Sequence, residues 1–344
     1  MRMDSDMLLP LGWTENRQEQ LRALGDEALV PARVVVHHRG QYGLLGCATA
    51  IATLSGRFRR DGADESDWPA VGDWVAVQPA DAAGDVGVIH HVLPRTSVLG
   101  RQRPGQARQQ VVASNVDVVL VVTSPGRDFN ARRVERYVTA ALSGGARPVL
   151  VLNKCDIAAD TQVAEVLSAL GAIANGVPAL GTSAATGTGI AALHAHLPAG
   201  TTGVLVGSSG VGKSSLVNAL LGQAQQATRT VRLTDDKGRH TTTRRELIVL
   251  PGGGCLVDTP GMREFALWEA DSGLGETFAD IEAIAASCRF RDCRHSGEPG
   301  CAVVAALARG DLDAGRLAAL EKLRGEDAHQ SRQWSGRQSR PKKK

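Results

Sequence analysis

The sequence predicts a three-part chain: a small N-terminal OB-type β-barrel, a central α/β domain built on a parallel sheet, and a C-terminal helical domain gathered around a cluster of metal-ligating side chains. Three observations carry this expectation. Residues 33–99 hold five short β-rich runs punctuated by Gly, Pro and Asp. From Val116 onward, fully apolar runs alternate with segments of helical period, which is the pattern of strands covered on both faces. Near the C-terminus, Cys288, Cys293, His295 and Cys301 fall within fourteen residues.

Composition sets the outer bounds. A chain of 344 residues exceeds ordinary single-domain size, and 43% apolar with 22% charged residues is globular rather than disordered composition. Six cysteines are too few for a disulfide framework and point to a reducing compartment. No stretch reaches the roughly 18 uninterrupted apolar residues of a membrane span, and Met1–Met7 carries acids where a secretory leader has basic residues. The expectation is a cytoplasmic protein with no membrane partner. Net charge is 39 − 36 = +3, yet Ser331–Lys344 alone holds six cations and no acid, leaving 3 − 6 = −3 for the remainder. Such a basic tail, residues 331–344, is a solvated arm able to rest on phosphates.

Taken in order, residues 1–30 form an extension with one expected helix, Glu15–Leu24. The barrel, placed at residues 31–112, draws its strands from Arg33–His37, Ala48–Leu54, Asp73–Val77, Gly87–Leu93 and Ser97–Leu99. Five strands in about 70 residues fit an OB barrel, a common holder of nucleic acid, although an SH3-like barrel reads similarly. Between Val86 and Val116 there are four arginines (Arg95, Arg101, Arg103, Arg108) and no acid, an electropositive strip suited to RNA phosphates. Aromatic residues for base stacking are few, so backbone and shape readout is expected. The α/β domain, placed at 113–262, takes strands from Val116–Thr123, Pro148–Leu152, Gly203–Val206, Glu246–Leu250 and Cys255–Val257, with helices near Ala131–Leu142, around Val163–Leu170 and at Ser214–Leu221. After Met262 the chain turns helical, and the C-terminal domain, placed at 263–330, ends in an amphipathic helix over Asp313–Leu323.

The chemistry concentrates at predicted strand ends. Gly207-Ser208-Ser209-Gly210-Val211-Gly212-Lys213-Ser214 matches G-x-x-x-x-G-K-[ST] between a strand and a helix, with Ser215 following. Glycines let backbone amides curl around a phosphate, Lys213 neutralises β- and γ-oxygens, and Ser214 offers its hydroxyl to Mg²⁺. Cys255-Leu-Val-Asp258-Thr-Pro-Gly261 supplies an acid for the metal and a glycine amide for the γ-phosphate. Asn153-Lys154-Cys155-Asp156 supplies base selection: the Asp156 carboxylate can accept from both N1–H and the exocyclic amine of guanine, and adenine has no such donor pair. The motif therefore favours GTP over ATP. Ser183-Ala184 completes the base-cradling loop, and all these motifs fall at strand carboxyl ends, where ligands of such sheets bind.

Their order is unusual. In a standard small GTPase the phosphate loop comes first and N-K-x-D and S-A follow, whereas here Asn153–Asp156 and Ser183-Ala184 precede the phosphate loop at Gly207. The domain is therefore a circularly permuted P-loop GTPase. With a β-barrel before it and a cysteine cluster after it, the chain over about residues 31–330 resembles the ribosome small-subunit-dependent GTPase A family (RsgA, also called YjeQ). The resemblance implies a monomer that binds the small (30S) ribosomal subunit and its 16S rRNA late in maturation, hydrolyses GTP to GDP under stimulation by the subunit, and leaves after hydrolysis. An alternative is a nucleotide-gated rRNA-binding module in which GTP occupancy rather than turnover controls affinity.

The position after the D-x-x-G glycine, often a water-orienting Gln in GTPases, is Met262, whose thioether cannot orient water. The stretch Lys237-Gly-Arg-His240-Thr-Thr-Thr-Arg-Arg245 resembles the family's first switch. There a threonine among Thr241–Thr243, assigned here to Thr242, would complete Mg²⁺ coordination beside Ser214 and Asp258. His240 is the expected water-positioning group, with Lys213 and Gly261 as the other catalytic contributors. At the C-terminus, three thiolates and one imidazole make a complete tetrahedral set, expected to hold one structural Zn²⁺.

Overall fold

The computed structural model describes residues 7–56, 58, 67–80, 85–102, 109–173, 176–222, 245–258, 274, 277–290 and 292–324. Five strands, β1 (Val30–His38), β2 (Gln41–Leu45), β3 (Ile51–Leu54), β4 (Trp74–Gln78) and β5 (Gly87–Val92), close a barrel in the order β1-β2-β3-β5-β4-β1. β3 and β5 pair parallel and every other pair is antiparallel. Alternation explains the filling: Ala32, Val34, Tyr42, Leu44, Ala52, Leu54, Val75, Val77 and Ile89 point inward into one apolar cluster.

Two expectations about this barrel need correction. β2 was not among the expected strands, because Gly43 and the following Gly46 interrupt its apolar run. Ser97–Leu99 does not belong to the barrel; it opens β6 (Val98–Gln102), which pairs antiparallel with β7 (Gln109–Ser114) in a separate two-stranded sheet.

Residues 7–30 of the extension are folded. α1 (Glu15–Arg22) starts at Thr14, whose side chain accepts from Arg17 N, and Leu8, Leu11, Trp13 and Leu21 are buried. Trp13 packs on Trp74 of β4 at 4.7 Å. Beside them Arg33 is 1% exposed and its guanidinium donates to the carbonyls of Gly72 (3.1 Å), Asn115 (3.1 Å) and Leu11. Burial drags this cation down to about 10. Backbone carbonyls from three chain segments replace its water, so the extension, the barrel and the crossing to the next domain are held at one point.

The central sheet runs β10-β9-β8-β11-β13-β12, from β8 (Val118–Thr123), β9 (Arg147–Leu152), β10 (Ala179–Gly181), β11 (Thr202–Gly207), β12 (Glu246–Val249) and β13 (Cys255–Asp258). Its first five strands are mutually parallel, whereas β12 is antiparallel to β13, a departure from the all-parallel expectation. Fully apolar strands follow from cover on both faces. Val119 and Val121 face α2 (Ala131–Ser143) and α3 (Asp160–Ile173), and Val118, Leu120 and Val122 face α4 (Ile190–His194) and α5 (Lys213–Leu221). Val36 of β1 pairs with Glu246 of β12, joining barrel and central sheet into eleven connected strands.

C-terminal to the sheet, α6 (Ala279–Ala285), α7 (Ala302–Arg309) and helical residues 314–324 pack Phe278, Ile281, Val303, Leu317 and Leu320 into the same cluster as Val134 and Val138 of α2. Each fully buried aliphatic or aromatic side chain there contributes roughly 1.5–3 kcal/mol of transfer free energy. The cysteine loop lies between α6 and α7.

Candidate nucleotide site and metal centre

Parallel pairing aligns the carboxyl ends of β8, β9, β10, β11 and β13, and the loops after these strands meet there. Gly207 has φ +146°, and a Cβ on it would stand 2.1 Å from the Val122 carbonyl oxygen. Gly212 has φ +93°, and a Cβ there would stand 2.3 Å from Asn153 Nδ2. Neither position accepts a side chain, so the phosphate loop can close only with these glycines. Lys213 Nζ donates to the carbonyls of Gly207 (2.8 Å) and Ser208 (2.6 Å). Val211 is buried beneath the loop, whereas Ser209, Gly210, Ser214 and Ser215 are exposed along its rim and first helical turn.

Asn153, buried at the end of β9, ties the separate motifs together. Its Nδ2 donates to the Val211 carbonyl (2.9 Å), and its Oδ1 accepts from Thr182 Oγ1 (3.3 Å) and Ala184 N (3.2 Å). Lys154 adopts φ +65°, a left-handed turn that few non-glycine residues take. Beyond it Asp156 is exposed, and its Oδ1 accepts from the buried Ser183 hydroxyl at 2.6 Å. The carboxylate is thus oriented by one short charge-assisted bond and keeps its other lone pairs open. Asp258 ends β13, in the strand beside β11, and burial pushes its carboxyl above the ordinary range. Of the sequence-predicted residues, Asn153, Lys154, Asp156, Ser183, Ala184, Gly207–Ser215 and Asp258 all gather on this one edge. His240, Thr242, Gly261 and Met262 lie outside the described residues.

Sequence reasoning missed one cation at this edge. The Arg133 guanidinium, in the first turn of α2, donates to the Ser208 hydroxyl. No motif announces it, since β8 and α2 carry none.

In the C-terminal loop, Cys288, Cys293, His295 and Cys301 offer ligand atoms that all lie within 4.8 Å of one another. His295 Nδ1 stands 3.7 Å from Cys288 Sγ and 3.5 Å from Cys301 Sγ, and the two sulfurs are 3.9 Å apart. His295 reaches inward through a left-handed backbone, φ +60°. Cys301 caps α7, its sulfur accepting from Val304 N at 3.4 Å, which suits a thiolate. All six cysteines are free, so no disulfide competes for this set. Three sulfurs and one imidazole nitrogen in this arrangement match the donor chemistry of a closed tetrahedral zinc site.

The fold and these loops define a circularly permuted P-loop GTPase, flanked by an OB-type barrel and a Cys₃His helical unit. Comparison with known proteins makes this particular: the family model RsgA GTPase matches residues 92–268, and the chain belongs to the RsgA GTPase family. A small ribosomal subunit biogenesis GTPase RsgA from Opitutus terrae is 46% identical over 94% of this chain and 91% of its own length. One from Syntrophotalea carbinolica is 44% identical over 92% and 89%. The crystal structure of YjeQ from Thermotoga maritima superposes with a TM-score of 0.62 at 28% identity, covering 86% of this chain and 97% of that one. YloQ, described as a circularly permuted GTPase, gives 0.61 at 25% identity over 87% and 94%. The protein is a GTP-hydrolysing enzyme, and among its described residues no helix is long and apolar enough to cross a membrane.

Proposed function

We propose that the protein acts on the small ribosomal subunit late in its maturation, through contacts to 16S rRNA, with GTP hydrolysis stimulated by the subunit and coupled to release. The observation that carries this reading is the junction at Asn153, which holds phosphate loop, N-K-x-D and S-A loop in one constellation. It stands in a chain 46% identical to a relative named for small-subunit biogenesis. The protein works as a cytoplasmic monomer.

In this reading Asp156 selects guanine, Ser183 holds that carboxylate in place, and the amides of Ser208–Ser215 surround the phosphates. Lys213 exchanges its loop carbonyls for β- and γ-phosphate oxygens. Ser214, Thr242 and Asp258 would hold Mg²⁺, which would supply positive charge toward the phosphate oxygens. The raised Asp258 carboxyl fits a group that gains a cation on binding. His240 orients the attacking water and the Gly261 amide meets the γ-phosphate. Zn²⁺ held by Cys288, Cys293, His295 and Cys301 is structural, because four protein ligands leave no position for water.

Sedimentation with purified small subunits tests the partner. Binding is expected with a non-hydrolysable GTP analogue, with loss of the complex in GDP and no binding to large subunits. Equal binding in both nucleotides would remove release from the account.

A further inference from the structure

Met262 follows Gly261, and in the proposed reading His240 takes over the positioning of water, which still leaves the charge that grows on the γ-phosphoryl group to be met by a cation. Arg133 is a cation beside the phosphate loop. β8 pairs with β11 so that Val122 lies opposite Gly207, which puts the loop leading from β8 into α2 beside the phosphate loop. Asn130 caps α2 by accepting from Arg133 N at 3.0 Å, fixing the first helical turn. From that turn the guanidinium reaches Ser208, whose carbonyl accepts from Lys213 Nζ. One loop residue therefore touches two cations. Among the described residues no carboxylate pairs with Arg133, and its side chain is solvent-facing.

Building on the GTPase reading, we propose that Arg133 is an in-chain cation for the γ-phosphoryl group, a catalytic residue that binds triphosphate in preference to diphosphate and stabilises the charge that grows as the β–γ bond breaks. The nearest neighbour shows why the position is specific. Arg132, one residue earlier, directs its guanidinium toward Gly315 in the C-terminal unit rather than toward the phosphate loop. A planar guanidinium, always charged and able to donate in a fork, suits two oxygens of one phosphoryl group.

The test compares Arg133→Ala, Arg133→Lys and the charge-matched control Arg132→Ala. Each is read by the affinities of fluorescent GDP and of a fluorescent non-hydrolysable GTP analogue, and by kcat and KM for GTP. Arg133→Ala should weaken the analogue about tenfold or more, leave GDP within about twofold, and lower kcat by a factor of about 10³, the lower bound for arginines of this kind. Arg133→Lys should recover part of the analogue affinity, and Arg132→Ala should match the parent protein. Equal loss of GDP and analogue would overturn the proposal and make Arg133 a brace for the loop. Unchanged affinity and kcat would overturn it as well. Failure of the parent protein to prefer guanine over adenine nucleotides would instead overturn the GTPase reading beneath it.

Discussion

A single amide, that of Asn153, shows how the site is assembled: it spends its donor on the phosphate loop and its acceptor on the S-A loop. In the proposed reading Asp156 recognises the base. Replacing it with Asn exchanges an acceptor for a donor on the face that reads N1–H and the exocyclic amine. Two charge-assisted hydrogen bonds at about 1.5–3 kcal/mol each are at stake. Asp156→Asn is therefore expected to weaken GTP about 100-fold or more and to favour xanthosine triphosphate, which carries an acceptor in place of the amine. Competition binding against ATP and xanthosine triphosphate measures this, and an unchanged GTP preference would show that Asp156 does not read the base. Asp156, Lys213 and the Cys₃His cluster were legible because their chemistry depends on residue type at fixed spacing. Arg17, Arg33 and Arg133 were not. Arginine composition reads as surface charge, yet Arg17 and Arg33 are buried on carbonyls and on Asn115 at contacts that only the folded chain brings together.

At the level of elements, strands with uninterrupted apolar runs were read correctly, and β2 was lost because its side chains are punctuated by glycines. Neither β7 nor the exclusion of β6 from the barrel follows from periodicity, since pairing partners are decided by register across a loop. The antiparallel β12 has the same origin: a strand's direction depends on how the chain returns, and the sequence pattern of an edge strand looks alike either way. The cysteine loop was fully legible, and its consequence is energetic. It connects α6 to α7 with little apolar burial of its own, since Arg289, Phe290, Arg294 and Ser296 are exposed. One equivalent of zinc per chain is expected by plasma mass spectrometry. Cys293→Ser should release it and lower the thermal midpoint of the C-terminal unit by about 5 °C or more, given roughly 4–8 °C per kcal/mol in a domain of 60–100 residues. Retention of zinc by that variant would place the metal elsewhere.

Across the whole molecule, α2 links the phosphate loop to the C-terminal unit. Arg133 touches Ser208 at its start, and two residues later Glu135 accepts from Arg316 at 3.0 Å. Arg316 also donates to both oxygens of Asp280 (2.8 and 2.9 Å) and to the Thr277 carbonyl (2.9 Å), and lies over the Phe278 ring at 4.9 Å. Burial raises the Glu135 carboxyl and Arg316 offsets this only in part. Asp280, where burial is outweighed by hydrogen bonding to Arg316, stays below its ordinary range and is the firmer ionic partner. On the other side Val36 and Glu246 join barrel to sheet. The nucleotide edge is thereby connected to both flanking units, as the proposed stimulation by a large partner requires. The most direct test is GTP hydrolysis by the purified protein alone, with small ribosomal subunits, and with large subunits as control. Slow intrinsic turnover, accelerated by small subunits alone by a factor on the order of 10³ or more, is the predicted result. Equal, slow turnover in all three conditions would contradict the account and leave a nucleotide-gated binding protein in its place.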